Sequence, residues 1–220
     1  MLRQVPFVGI AGNIAVGKTT LTRILSSRLG WRAFYESVDD NPYLQDFYAD
    51  MKKWSFHLQI YFLSRRFQTQ REMARGNRPA VQDRTIYEDV EIFARSLFEG
   101  GAMTERDWNN YRTLFKEMTS YLSSPALIVY LKASTDTLMT RVRKRGREYE
   151  RRISPEYLHR LNVAYDRWIH RASGQFPVLT VETDDFDFLV ESPRRDELIA
   201  AVESRCQNPA WDDNRHEPTN

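Results

Sequence analysis

The sequence holds a single cysteine, Cys206, in 220 residues. No intrachain disulfide can form, and a reducing, cytoplasmic setting is expected. Histidine is nearly as scarce. His57, His159, His170 and His216 are scattered without metal-ligand spacing, so no histidine-based metal centre is expected. No apolar run is long enough to span a bilayer. The N-terminus runs almost directly into a strand-like stretch, so no signal or transit peptide is expected. Repeats and low-complexity segments are absent. An excess of one charge is missing too: 32 Lys and Arg face 30 Asp and Glu, a net charge of +2 mixed along the chain. That balance gives no reason to propose nucleic acid or a membrane as partner.

What is there begins with Gly12-Asn13-Ile14-Ala15-Val16-Gly17-Lys18-Thr19. It fits G-x-x-x-x-G-K-[ST], a phosphate-binding loop. Phe7 to Ala11 before it reads as a short buried strand. Leu21, Ile24, Leu25 and Leu29 after it share one helical face, and Gly30 stands where a helix C-cap belongs. Strand, glycine turn and helix N-terminus make an anion site of backbone N–H groups. Lys18, expected to be exposed until phosphate arrives, would reach the β- and γ-phosphates. Thr19 would place its hydroxyl on Mg²⁺, and Thr20 follows in the same turn. A nucleoside triphosphate is the ligand this pattern implies.

The length fits one α/β domain, placed at residues 1–205 with a polar, fraying tail at 206–220. Strands are expected near 7–11, 32–36, 79–83, 126–131 and 178–182. Helical patterns separate them, which predicts a five-stranded parallel sheet with helices on both faces. The helices are expected near 53–74, 86–98, 104–122, from 135, from 155 and near 195–205. Thr104 to Asp107 reads as a capping box, and Ser154-Pro155 as an N-cap with proline at N1.

Glu36 is predicted at the carboxyl end of the second strand, where ligands of open parallel sheets gather. It could take a proton from an acceptor hydroxyl, or be a solvated surface carboxylate. Asp83 closes the third strand and could hold the Mg²⁺ shell, with Arg84 beside it steadying an acceptor oxygen. A local Asp83–Arg84 salt bridge is the plain alternative. Arg141, Arg143, Lys144, Arg145, Arg147, Arg151 and Arg152 crowd one helix end. The helix dipole explains one or two of them, not so many.

Four blocks carry a resemblance. Glu36-Ser37-Val38-Asp39-Asp40-Asn41-Pro42-Tyr43-Leu44 resembles the catalytic-glutamate segment of bacterial deoxynucleoside kinases, though many members have proline where Ser37 stands. Trp54 to Leu63 resembles their nucleoside-reading helix, Gln82 to Asp89 their D/E-R-S/T motif, and Arg145 to Glu150 their arginine-rich lid. The blocks fall in the family's order over roughly residues 5–190, and the look is nearest the deoxyadenosine type. The resemblance implies a P-loop kinase with Mg²⁺-ATP as donor, acting in nucleotide salvage, and a homodimer. Glu36 would be the general base toward the nucleoside 5′-hydroxyl and lie near Mg²⁺, and Arg84 would hold both hydroxyl and base. Tyr48 and Glu150 would bind the 3′-hydroxyl. Gln59 would pair with the base edge, Phe93 would stack on the base, and Arg66 and Asp89 would line the pocket opposite Gln59. Arg141, Arg145 and Arg147 would close over the phosphates, and Asp184 to Phe186 would meet the donor base, with Asp185 and Phe186 as contacts.

Helical spacing bears on part of this. Gln59, Phe62 and Arg66 share a face at i, i+3 and i+7, with Gln59 and Arg66 about 10.5 Å apart along the axis. Phe62 on that face reads as core by pattern and as pocket under the resemblance, and a Gln–Arg–Asp set could equally be a buried network. A nucleoside-monophosphate kinase is the runner-up. It would need a basic site for the acceptor phosphate, but segment 36–50 is acidic, with Glu36, Asp39, Asp40, Asp46 and Asp50. A GTPase-type switch lacks its N-K-x-D guanine reader.

Overall fold

The computed structural model describes residues 6–36 and 41–207, apart from the Tyr149 side chain. The expectations for Ser37, Asp39, Asp40 and the 208–220 tail lie outside the described residues. The five expected strands all form: β1 (Phe7–Gly12), β2 (Arg32–Phe34), β3 (Ala80–Asp83), β4 (Leu127–Lys132) and β5 (Val178–Glu182). They make one parallel sheet in the order β2-β3-β1-β4-β5. Central β1 and β4 are almost wholly buried, as near-continuous apolar runs in a doubly covered parallel sheet must be. Edge strand β2 is shorter than expected and ends at Phe34. In this register Tyr35 would face Asp83, the last residue of β3, and Glu36 would face Arg84, whose φ of +67° turns the chain away, so the ladder stops there. Glu36 therefore stands on the loop beyond the strand.

Nine α-helical stretches are described: α1 (Lys18–Leu29), α2 (Leu44–Ala49), α3 (Met51–Ala74), α4 (Ile86–Glu88), α5 (Arg95–Glu99), α6 (Glu105–Thr119), α7 (Thr135–Arg145), α8 (Pro155–Ala172) and α9 (Pro193–Gln207). A 3₁₀ turn, Glu148–Arg152, links α7 to α8. Helix α2 went unforeseen. It is only six residues long, and Asp50 ends it while capping α3 through the Lys53 N–H at 3.1 Å. The expected helix at 86–98 is also different. Residues Asp89–Ala94 form a π-helix between α4 and α5, a wider turn of the kind found at functional sites. The predicted caps at Gly30, Thr104 and Ser154 are in place.

One core lies between β1, β4, α1 and α8. A second gathers α2, α3, the π-helix, α5 and α6 away from the sheet. The carboxyl ends of β1, β2 and β3 open toward the seam between the two, which sets the place of the site.

Candidate active site

Helix α1 has no side-chain cap. Gly17, at φ +111°, occupies its N-cap, so the first N–H groups are left to an anion. Lys18 contradicts the expectation of exposure. It is buried, and its Nζ donates to the carbonyls of Gly12 and Asn13 at 2.9 Å each. Burial, then the Arg84 charge, pull its pKa down to about 8. With no phosphate to contact, the ammonium satisfies its hydrogen bonds within its own loop. Asn13 also turns inward, donating to the Leu158 carbonyl at 2.9 Å and to Asn162 at 2.7 Å. Its part is to tie the loop to α8 rather than to line a cavity wall.

A cavity of about 260 Å³ lies beyond the loop. Lys18, Thr19, Asp83, Glu36 and Arg84 line its inner end. Gln59, Phe62, Asp89, Phe93 and Tyr48 line the rest, with Arg145, Arg147 and Glu150 at the lid side. Helix α3 thus carries both Gln59 and Phe62 to the wall, so Phe62 is a wall residue as well as a neighbour of the second core. Arg66 is corrected: it lies behind the wall. Its Nε donates to Asp89 Oδ2 and its Nη2 to Glu36 Oε1, both at 2.6 Å. Arg84 Nε also stands 3.2 Å from Glu36 Oε1, within ion-pair range but misaligned for a hydrogen bond. The Arg84 guanidinium covers the Phe93 ring at 4.2 Å. Asp83 and Arg84 do not pair with each other. Asp83 Oδ2 instead accepts from Thr19 Oγ1 at 2.5 Å, which removes the local salt bridge alternative.

The charges follow from this wiring. Burial alone would raise the Glu36 carboxyl, but Arg84 and Arg66 outweigh it and hold it down to about 2. Burial works against both guanidiniums, yet Asp89 and Glu36 hold Arg66 above its ordinary value, and Glu36 foremost does so for Arg84. Burial pushes Asp89 up to about 6 against the pull of Arg66, because that one guanidinium is shared with Glu36. Asp83 is raised, chiefly by burial.

A second, more open groove of about 580 Å³ runs along the other side of the phosphate loop, from Ala15 to Thr20. Arg141, Arg145, Arg147, Asp185 and Phe186 line it. Arg141 is committed to protein acceptors, the Val16 carbonyl at 3.2 Å and Thr183, so it braces the loop. Arg145 grips Glu150 with two bonds, at 3.0 and 2.6 Å. Phe186 is buried against Phe188 with the Arg194 guanidinium above it at 4.4 Å. Arg145 and Arg147 face both cavities and so stand where donor and acceptor would meet.

Two buried residues on this machinery were missed by sequence reasoning. Glu88 bonds the phosphate loop, and Tyr157 lines the inner cavity with its hydroxyl pushed up to about 12 by burial. Thr85-x-x-Glu88 has the capping-box spacing, a signal that could have drawn attention to Glu88.

With that geometry in place, the model of the deoxynucleoside kinase family matches residues 8–207. The chain belongs to the deoxynucleoside kinase family. It is 38% identical over 199 residues to the deoxyadenosine/deoxycytidine kinase of Bacillus subtilis (strain 168), covering 90% of this chain and 91% of that one. It is 34% identical to the deoxyguanosine kinase of the same organism, over 91% and 98% of the two chains. The solved structure of the deoxyadenosine kinase from M. mycoides with bound dCTP superposes with a TM-score of 0.80 at 29% identity, covering 90% of this chain and 99% of that one. The fold is that of the P-loop kinases, and the protein is a deoxynucleoside kinase, a phosphotransferase.

Proposed function

We propose that this kinase transfers the γ-phosphoryl group of ATP to the 5′-hydroxyl of a deoxynucleoside, with deoxyadenosine preferred and deoxycytidine or deoxyguanosine also accepted. The observation that carries the reading is the join between the two cavities. The enclosed one ends at Glu36 and Arg84, beside Lys18 and the open N-terminus of α1. Far from that end, Gln59 is buried with its Oε1 unpartnered, an acceptor suited to the exocyclic amine of adenine or cytosine.

The reaction needs little covalent chemistry from the protein and much positioning. The α1 N–H groups and Lys18 would hold the phosphates. Glu36 is ionised at neutral pH and would accept the 5′-hydroxyl hydrogen bond. Held near 2, it is a weak base, which suits a loose phosphoryl transition state in which the proton leaves late. Arg84 would hold the same hydroxyl. Arg145 and Arg147 would swing from Glu150 to the transferring group, leaving Glu150 and Tyr48 for the 3′-hydroxyl.

Thr19 and Asp83 fit a magnesium ion: hydroxyl and carboxylate are hard oxygen donors, and Asp83 Oδ1 is buried without a partner. Glu36 Oε1 is already engaged by two arginines and fits less well. Bound there, Mg²⁺ would neutralise charge on the β- and γ-phosphate oxygens. A single kinase domain over 1–205, a homodimer and a cytoplasmic place in salvage complete the proposal. The family match over residues 8–207 supports the single domain, and the lone, buried Cys206 a reducing compartment.

The test is steady-state ADP release with each of the four deoxynucleosides under Mg²⁺-ATP. Deoxyadenosine should give the highest kcat/KM and thymidine the lowest. Thymidine in the lead would overturn the base assignment.

A further inference from the structure

Glu88 is fully buried, and its carboxylate is hydrogen-bonded to the phosphate loop, to the residue after Arg84 and to α8. Its Oε1 accepts from the Gly12 N–H at 3.2 Å and the Tyr165 hydroxyl at 2.8 Å. Its Oε2 accepts from the Thr85 N–H at 2.7 Å and the Thr85 hydroxyl at 3.2 Å. The donors come from three places. Gly12 is where β1 becomes the phosphate loop, Thr85 directly follows Arg84, and Tyr165 belongs to α8, the helix after the lid.

Arg84 lies between two of these anchors in a left-handed conformation that arginine seldom adopts. A hydrogen bond fixes the peptide on either side of it. The Arg84 N–H donates to the Ile10 carbonyl at 3.0 Å, and the next N–H, that of Thr85, goes to Glu88. Thr85 sits so tightly on β1 that a Cβ placed on Gly9 would come within 2.3 Å of its Cγ2. The turn then aims the Arg84 guanidinium at Glu36 and across Phe93. A helix cap alone does not account for this. Thr85 and Glu88 do form a capping box, but α4 is three residues long. The second carboxylate oxygen also serves β1 and α8, 76 and 77 residues away.

We propose that Glu88 is a positioning residue: it sets the distance and angle between the phosphate loop and the arginine that holds the acceptor. The inference rests on the proposed function for the role of Arg84. Its reach is the phosphoryl-transfer step, since a displacement near 1 Å at reacting groups costs about 10²-fold in rate.

The test is a cycle of four enzymes: wild type, Glu88→Gln, Arg84→Ala and the double variant. Glutamine keeps the size of Glu88 but turns an N–H₂ toward either Gly12 or Thr85, whose N–H groups cannot accept. Glu88→Gln should lower kcat about 10- to 100-fold, with Kd for ATP and for deoxyadenosine within about threefold of wild type. In the Arg84→Ala background the same change should cost less than about threefold, because the group it positions is gone. A loss that multiplies in full overturns the proposal, as does a lowered Tm with kcat intact. Tyr165→Phe removes one donor to the same carboxylate and is the milder probe if Glu88→Gln does not fold. It should lower kcat about 3- to 10-fold, and only when Arg84 is present. An unchanged kcat there also overturns the proposal. Wild-type turnover of deoxynucleosides tests the proposed function separately. If another acceptor proves to be the substrate, the same cycle with that acceptor still decides Glu88.

Discussion

Arg66→Met should damage stability more than Arg66→Met and Asp89→Ala together. Arg66 is buried, and its guanidinium is the only salt-bridge partner of Asp89 among the described residues. Removing one member of a buried ion pair costs about 3–5 kcal/mol, because the carboxyl left in a dry site must stay charged without a partner or take up a proton. Against a total stability of about 5–15 kcal/mol, that is about a fifth or more of the fold's margin. Deleting Asp89 as well removes the stranded carboxylate, so the double variant should recover about 2 kcal/mol relative to Arg66→Met. Urea unfolding followed by tryptophan fluorescence reads this directly, since the chain carries five tryptophans. The same variants report on function. Glu36 would keep only Arg84, which stands 3.2 Å away without hydrogen-bond alignment, so kcat should fall in both. The double variant should nevertheless raise thymidine kcat/KM relative to deoxyadenosine, because a carbonyl no longer faces a carboxylate. If the losses of Arg66→Met and of Asp89→Ala made alone simply add in the double variant, Arg66 and Asp89 do not act as a pair. If the thymidine ratio stays put, they do not influence base choice.

Lys18→Ala should abolish turnover and lower Tm by a few degrees, since the loop loses two buried hydrogen bonds to Gly12 and Asn13. Retained turnover with normal ATP binding would remove the phosphate loop from the account. Asp89 gives a pH signature. Its folded pKa, about 6, lies above its ordinary value of 3.8, so its stabilising effect is present below about 4 and lost as pH rises through 6. Relative to Asp89→Asn, wild type should lose about 2 kcal/mol between pH 4 and pH 7. A flat difference curve would show that burial does not govern Asp89. Gly9→Ala should unseat Thr85 and slow turnover with it, because the added Cβ has no space against Thr85 Cγ2. Wild-type activity in that variant would show the contact to be slack.

The phosphate loop, the sheet and the helix order were legible because each rests on local pattern: glycine spacing, apolar runs, caps. Helical period put Gln59 and Phe62 on one face, the resemblance alone put them at a pocket, and Asp83 followed from its place at a strand end. What could not be read is what depends on partners far along the chain. The resemblance put Arg66 in the pocket wall opposite Gln59, but two carboxylates, 30 and 23 residues away, hold it behind that wall. Lys18 looked exposed, but the loop's own carbonyls draw it in. The π-turn at Asp89–Ala94 leaves no mark in apolar spacing, because five of its six residues are either buried or packed on the core whatever the pitch. Helix α2 was too short for a periodic signal.

The central claim is that Glu36 and the phosphate loop serve one reaction on a nucleoside 5′-hydroxyl. Glu36→Gln tests it most directly, because glutamine keeps an oxygen for Arg66 and loses only the charge and the proton acceptor. Single-turnover transfer from labelled ATP to deoxyadenosine should slow by about 10²-fold or more, with the nucleoside Kd nearly unchanged. A normal transfer rate with weakened nucleoside binding would contradict the claim and place the proton acceptor elsewhere.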